Sequence, residues 1–128
     1  MIYLDTSVVL ATLFNEPRQP PDALWTTEAT SSRLLEYEVI IRLNALGRPT
    51  KALRLAQDFI AEVKLIDLDG PALQRALQPF PVPLRTLDAI HLSTVLFLQG
   101  RGIKLQLATY DKRMMRAAKA LSIPLATV

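Results

Sequence analysis

Short apolar runs alternate along this chain with longer segments of helical period. Ile2–Leu4 is a brief apolar run ending at Asp5, and Ser7–Phe14 continues with Ala and Leu at helical positions. That pattern predicts a strand, an Asp-Thr-Ser junction and a helix. Glu16–Pro21 holds Pro17, Pro20 and Pro21 and reads as a loop, followed by a weak helix around Asp22–Trp25 and a short strand over Glu28–Ser32. Arg33–Leu46 reads as a helix, with Gly47 as its stop before Pro49. Thr50–Val63 places Leu53, Ala56, Phe59, Ile60 and Val63 close to one helical face. Lys64–Leu68 is a third strand candidate, and Asp69-Gly70-Pro71 opens a helix ending near Leu77. Pro79-Phe80-Pro81-Val82-Pro83 forms a stiff loop, and Thr86–Gln99 a helix closed by Gly100 or Gly102. Leu105–Ala108 predicts a strand, Lys112–Leu121 a helix and Leu125–Val128 a last strand. Strands alternating with helices argue for an α/β fold: a three-layer α/β/α sandwich around a mostly parallel sheet, in a single domain over residues 1–128.

Composition narrows the chemistry. The 128 residues contain no cysteine and one histidine, His91. Disulfide frameworks, thiolate zinc sites, iron–sulfur ligation and a cysteine nucleophile are all excluded. A two- or three-histidine metal site is excluded as well, so metal chemistry rests on oxygen ligands and hard ions such as Mg²⁺ or Mn²⁺. The lack of cysteine permits a reducing cytosol. No basic, apolar secretory segment opens the chain, and Val8–Phe14 and Thr94–Leu98 are far shorter than the roughly 20 residues of a membrane helix. The expected location is cytoplasmic, with no membrane partner. Half the residues are hydrophobic, which points to an exposed apolar patch and a protein partner, including a second copy of the chain. The net charge of +3 is compatible with nucleic acid.

In open parallel sheets, ligands bind outside the carboxyl ends of the strands. Asp5 and Asp111 stand at such junctions, Asp88 begins the long helix in the apolar setting Leu87-Asp88-Ala89-Ile90, and Glu38 lies inside the helix Arg33–Leu46. Carboxylates gathered in apolar surroundings repel one another and rise in pKa unless a cation holds them charged. Each also has an ordinary explanation. Asp5, Asp88 and Asp111 stand where an aspartate caps a helix, and Glu38 has Arg42 four residues on, an orientation suited to a helix ion pair. Glu36 competes with Glu38, and helical periodicity does not separate the two. His91 is expected to hydrogen-bond locally or to pack, and Ser93 shares its helix, with no nucleophile elbow to make it a triad serine.

The motifs carry a family resemblance. Met1-Ile2-Tyr3-Leu4-Asp5-Thr6-Ser7, Leu35-Glu36-Tyr37-Glu38-Val39-Ile40-Ile41-Arg42, Leu87-Asp88-Ala89-Ile90-His91-Leu92 and Ala108-Thr109-Tyr110-Asp111-Lys112-Arg113 follow in the order of the four motifs of PIN-domain proteins. The resemblance spans essentially the whole chain, and its compact length is similar to the VapC-type toxins of prokaryotic toxin–antitoxin pairs. It implies that Asp5, Glu38, Asp88 and Asp111 are the catalytic acids. Asp5, Asp88 and Asp111 would hold Mg²⁺ (or Mn²⁺), and Glu38 would be a ligand or orient the attacking water. Glu38 is preferred to Glu36 because Val39-Ile40-Ile41-Arg42 aligns better. Thr6, Ser7 and Thr109 flank these acids and would hydrogen-bond them or phosphate.

The implied activity is divalent-metal-dependent endoribonuclease cleavage, restrained by a cognate VapB-type antitoxin, in a homodimer whose apolar grooves lie among the helices of Arg33–Val63. Lys112, Arg113, Arg116 and Lys119 form a basic stripe directly after Asp111, suited to RNA phosphates or to a solvated helix face. Arg42, Arg48, Lys51 and Arg54 make a second basic zone. An RNA-maturation PIN nuclease and a catalytically silent PIN scaffold share these features. An aspartyl-phosphate receiver is a further α/β alternative, but it expects an adjacent acid pair early in the chain, where Tyr3-Leu4-Asp5 offers one acid.

Overall fold

The computed structural model describes residues 1–128. Strand β1 (Ile2–Leu4) leads into helix α1 (Thr6–Leu13), and a 3₁₀ turn (Asp22–Thr26) precedes β2 (Ala29–Ser32). Helices α2 (Leu34–Ala45) and α3 (Thr50–Ala61) then lead to β3 (Lys64–Ile66). The short α4 (Gly70–Leu73) runs on as a 3₁₀ turn (Gln74–Leu77), followed by α5 (Thr86–Gly100), β4 (Gln106–Ala108) and α6 (Lys112–Ala120). The four strands form one parallel sheet in the order β3-β2-β1-β4.

Alternation along the strands sends successive side chains to opposite faces. Ile2, Leu4 and Ala108 join a core with Val8 and Val9 of α1, Leu35, Val39 and Leu43 of α2, and Ala56 and Ile60 of α3. Tyr3 and Leu107 join a second core with Leu92, Val95 and Leu98 of α5 and Met114, Ala117 and Ala118 of α6. Helices on both faces of the sheet complete the three layers expected. No helix is long and apolar enough to cross a membrane.

The predicted helix stops hold where glycine supplies a left-handed residue. Gly47 (φ +61°) closes α2 with Gly47 N–H to Asn44 O (3.1 Å) and Arg48 N–H to Leu43 O (3.2 Å). At α5 the stop is Gly102 (φ +83°), not Gly100, with Gly102 N–H to Gln99 O (2.9 Å) and Ile103 N–H to Leu98 O (3.1 Å). Three expectations are corrected. Leu125–Val128 is not a strand but a single bridge, Leu107 to Leu125, made by Leu107 N–H to Pro124 O and Ala126 N–H to Leu107 O, both 2.8 Å. Strand β3 ends at Ile66, where Arg33 N–H takes the Ile66 carbonyl and Asp69 N–H turns back to Asp67 O. The helix after Asp69 loses its α-ladder because Ser93 is inserted into it: the Ser93 hydroxyl donates to Ala72 O (2.7 Å) and accepts from Ala76 N–H (3.1 Å).

Candidate active site

Parallel strands align their carboxyl ends, so the residues following β1 and β4 meet at one edge of the sheet. Asp5 N–H bonds Ala108 O (3.0 Å), extending the β1–β4 pairing by one residue. Asp5 is buried, and its Oδ2 accepts from Ser7 Oγ (2.5 Å), Thr109 Oγ1 (2.8 Å) and, more weakly, Ser7 N–H (3.4 Å). Those hydroxyls are themselves tied down. Ser7 Oγ accepts from Tyr110 N–H (3.0 Å), and Thr109 Oγ1 accepts from Asp111 N–H (3.0 Å). Thr109 thus joins Asp5 on one strand to Asp111 beyond the other.

Asp111 caps α6, with Oδ1 accepting from Arg113 N–H (2.8 Å) and Met114 N–H (3.1 Å). Its other oxygen, Oδ2, faces Arg85 Nη2 at 3.6 Å. Asp88 lies in the first turn of α5 but accepts no backbone N–H, so capping does not explain it; its partner is Arg85 Nε at 3.3 Å from Oδ2. Burial raises the Asp88 pKa above the ordinary carboxylate value, and the charges of Asp111 and Asp5 add to the rise, against the pull of Arg85.

Glu38 comes from the middle of α2, and its Oε1 accepts from both Thr6 Oγ1 (2.7 Å) and His91 Nε2 (2.6 Å). The anticipated Glu38–Arg42 helix pair is not formed; His91 is the partner instead. Glu36, two residues away and so on a different helix face, lies 3.9 Å from Arg33 beside the α2–α3 groove. Of the two glutamates, Glu38 is the one that lies with Thr6 and His91. His91 is almost fully buried, and its Nδ1 lies 2.8 Å from Tyr3 Oη, which also accepts from Ser32 N–H at 3.1 Å. Burial opposes charge on the imidazole, but the hydrogen bond to Glu38 and the negative fields of Asp5, Glu38 and Asp88 outweigh it, so the His91 pKa is raised.

The structure therefore brings the four expected acids together, with Thr6 bonded to Glu38 and Ser7 and Thr109 bonded to Asp5. Lys112, Arg113 and Arg116 are exposed on α6 next to Asp111, and neither they nor Lys119 form ion pairs. Sequence reasoning missed Arg85 and Tyr3; for His91 it expected local hydrogen bonding or packing, and the ring is indeed packed but bonds distant residues. The available signals were Arg85 three residues before Asp88, His91 three after it, and the alternation that turns Tyr3 toward α5.

The donor set fits a hard divalent cation. Glu38 and Asp5 each engage one carboxylate oxygen in hydrogen bonds, and Tyr110 Oη is the only buried side-chain polar atom without a partner. The second oxygens of Glu38 and Asp5 are thus unbonded and accessible. Arg85 already places one positive group between Asp88 and Asp111. As the side chains stand, no three acidic or imidazole groups are close enough together to hold a metal ion between them. That is compatible with Mg²⁺, which is usually held by one or two carboxylates and keeps several waters.

Comparison with known proteins places the chain in a family. The chain is 38% identical over 128 residues to Ribonuclease VapC46 of Mycobacterium tuberculosis, covering 95% of this chain and 93% of the relative. It is 30% identical over 129 residues to Ribonuclease VapC35 of the same species, covering 96% and 93% respectively. Among solved structures, a toxin–antitoxin complex from Klebsiella pneumoniae has the same fold, with a TM-score of 0.64 at 22% identity over 88% of this chain and 89% of that one. The family described as PIN domain matches residues 2–120, and with four acids gathered at the carboxyl edge of its parallel sheet the chain belongs to that family.

Proposed function

We propose that this protein is a divalent-metal-dependent endoribonuclease that acts as a toxin and is restrained by a cognate antitoxin. One observation carries the reading: Asp5 and Glu38 each commit one carboxylate oxygen to the protein and leave the other open, beside Asp88 and Asp111, in a chain whose relatives are named ribonucleases. Asp5, Asp88 and Asp111 would hold Mg²⁺ or Mn²⁺. The cation supplies charge neutralisation at the phosphate and a lowered pKa for water. Glu38 Oε2 orients the attacking water by accepting its proton in a hydrogen bond. Lys112, Arg113 and Arg116 hold flanking RNA phosphates, a role that positions the strand without reading its sequence. Water attacks phosphorus as the P–O3′ bond breaks; the water gives up a proton to solvent and the leaving 3′ oxygen takes one up, which leaves a 3′-hydroxyl and a 5′-phosphate.

Two apolar grooves suit protein partners. The groove between α2 and α3, about 540 Å³, is lined by Tyr37, Ile40, Ile41 and Ile60, with Tyr37 and Ile41 exposed. It is the proposed seat of an apolar antitoxin helix. A larger groove of about 800 Å³, lined by Leu73, Leu77, Phe80, Val82 and Ile90, is the proposed homodimer surface. The proposed setting is the cytoplasm, where a prokaryote makes its RNA. Purified protein should cleave RNA with Mg²⁺ or Mn²⁺ and stop with EDTA, and Asp5→Asn or Asp88→Asn should abolish cleavage. Expression should arrest growth, and the test is whether the neighbouring reading frame encodes a small DNA-binding protein that relieves the arrest. Metal binding without cleavage of any RNA would instead make the chain a silent PIN scaffold.

A further inference from the structure

We propose that Tyr3 and His91 are positioning residues for the nuclease reaction, fixing the Glu38 carboxylate with one oxygen bound to the protein and the other presented to the site. This rests on the reading of the acidic site as hydrolytic. The hydrogen-bond chain begins at the sheet backbone. Ser32 N–H of β2 donates to Tyr3 Oη (3.1 Å), so the phenol hydrogen is directed at His91 Nδ1 (2.8 Å). A nitrogen that accepts at Nδ1 leaves the proton on Nε2, and Nε2–H donates to Glu38 Oε1 at 2.6 Å. The Thr6 hydroxyl donates to the same oxygen at 2.7 Å. Two donors on one oxygen set the rotation of the carboxylate and leave Oε2 free. The phenol and imidazole rings also meet edge to face, 5.9 Å apart at 82°, which holds the imidazole plane.

Burial separates this role from direct catalysis. His91 is 1% exposed, and its two nitrogens are taken by Tyr3 and Glu38, so it reaches neither substrate nor bulk water. In the doubly protonated ring Nδ1–H donates to Tyr3 Oη instead, and in both states Nε2–H donates to Glu38, so the two anchors of the ring are kept. An imidazole that only filled space would be replaceable by an apolar side chain of similar volume. This one spans Tyr3 of β1, on one side of the site, and Glu38 of α2, on the other. Fully partnered buried networks of this kind impose a single geometry on their members.

The test has two readouts. His91 is the only histidine, so imidazole nitrogen and proton NMR reports it without overlap. The expected spectrum shows an exchange-protected, downfield Nε2–H that disappears in Glu38→Ala and shifts in Tyr3→Phe. In kinetics on a short RNA at saturating Mn²⁺, Tyr3→Phe and His91→Met should lower kcat about ten- to a hundred-fold, as loss of supporting hydrogen bonds around metal sites does. KM should stay within about two-fold. His91→Gln, whose amide nitrogen occupies the Nε2 position, should recover most of the lost rate. An active wild type with unchanged kcat in a folded His91→Met variant overturns the positioning role alone. A raised KM with unchanged kcat does the same. A wild type that cleaves no RNA with Mn²⁺, though its Nε2–H signal is present, overturns the nuclease reading and the proposal with it.

Discussion

Thr109→Val tests whether the site is one connected structure. The substitution preserves shape and removes a hydroxyl from a side chain that is 1% exposed. Two strong interactions are lost, a donor to Asp5 Oδ2 at 2.8 Å and an acceptor for Asp111 N–H at 3.0 Å, together with a long contact to Ser7 Oγ at 3.5 Å. A hydrogen bond to a charged group contributes about 1.5–3 kcal/mol, and an orphaned N–H costs about 1–3 kcal/mol. Asp5 keeps Ser7 as a partner, and the Asp111 amide is only partly buried, so water offsets part of that loss. The expected destabilisation is about 2–4 kcal/mol, a large share of the roughly 5–15 kcal/mol of a typical domain. Thr109→Ser keeps the hydroxyl and loses one methyl, about 0.8 kcal/mol. With a urea slope near 2 kcal/mol per molar, the Val variant should unfold about 1–2 M earlier than wild type, and the Ser variant about 0.5 M earlier. RNA cleavage should follow the same order. Equal midpoint losses for Val and Ser would refute the reasoning, because the hydroxyl would then not connect the two acids.

Asp88 has a raised pKa in the folded state, so its charged form opposes folding. Stability from this group is greatest below the unfolded value near 3.9 and is lost as pH rises through the raised folded value. Asp88→Asn should therefore stabilise the metal-free protein at pH 7 by about 0.5–2 kcal/mol while abolishing cleavage; a lower thermal midpoint would contradict this. His91 acts in the same sense at higher pH: facing Tyr3, Glu38, Asp5 and Asp88, its raised pKa contributes stability fully present below about 6.5 and lost as pH rises through the folded value. A metal-free melting temperature that climbs between pH 6.5 and 8.5 would refute that sign. Arg85 competes with a cation for Asp88 and Asp111, so Arg85→Ala should tighten Mn²⁺ binding several-fold in a titration followed by electron paramagnetic resonance; weaker binding would contradict the competition. Lys112→Ala, Arg113→Ala and Arg116→Ala should each weaken RNA binding and reduce its salt slope by about 0.7–0.9. Unchanged slopes would make the stripe an ordinary solvated face.

Much of this arrangement was legible because the signals are local. Gly47 after an apolar helix, alternation in Ile2–Leu4 and Ala or Leu at helical spacing each depend on a few neighbouring residues. The four acids were legible because each lies at or near an element boundary or within a matching motif. Contacts between distant segments were not. Nothing in the sequence around Ser93 says that it enters the α4 ladder, where it bonds Ala72 and Ala76. Nothing near His91 says that Tyr3, 88 residues earlier, holds its Nδ1. The Glu36/Glu38 choice was ambiguous for the same reason: both are acidic and both lie on α2, and only the position of α5 across from Glu38 separates them.

Capping and catalysis are not competing explanations for these acids, because a carboxylate has two oxygens. Asp111 gives Oδ1 to two backbone N–H groups of α6 and turns Oδ2 to Arg85. Asp5 collects its donors on Oδ2, and Glu38 on Oε1. In each case the fold holds one oxygen and thereby fixes the direction of the other, so a structural role and the proposed chemical one are compatible. Asp88 is the exception, with only the exposed Arg85 as partner. It is also the acid whose pKa burial and like charges push upward. The least supported carboxylate has the most to gain from a divalent cation, so of the four acids Asp88 should show the largest rise in stability when Mn²⁺ is added.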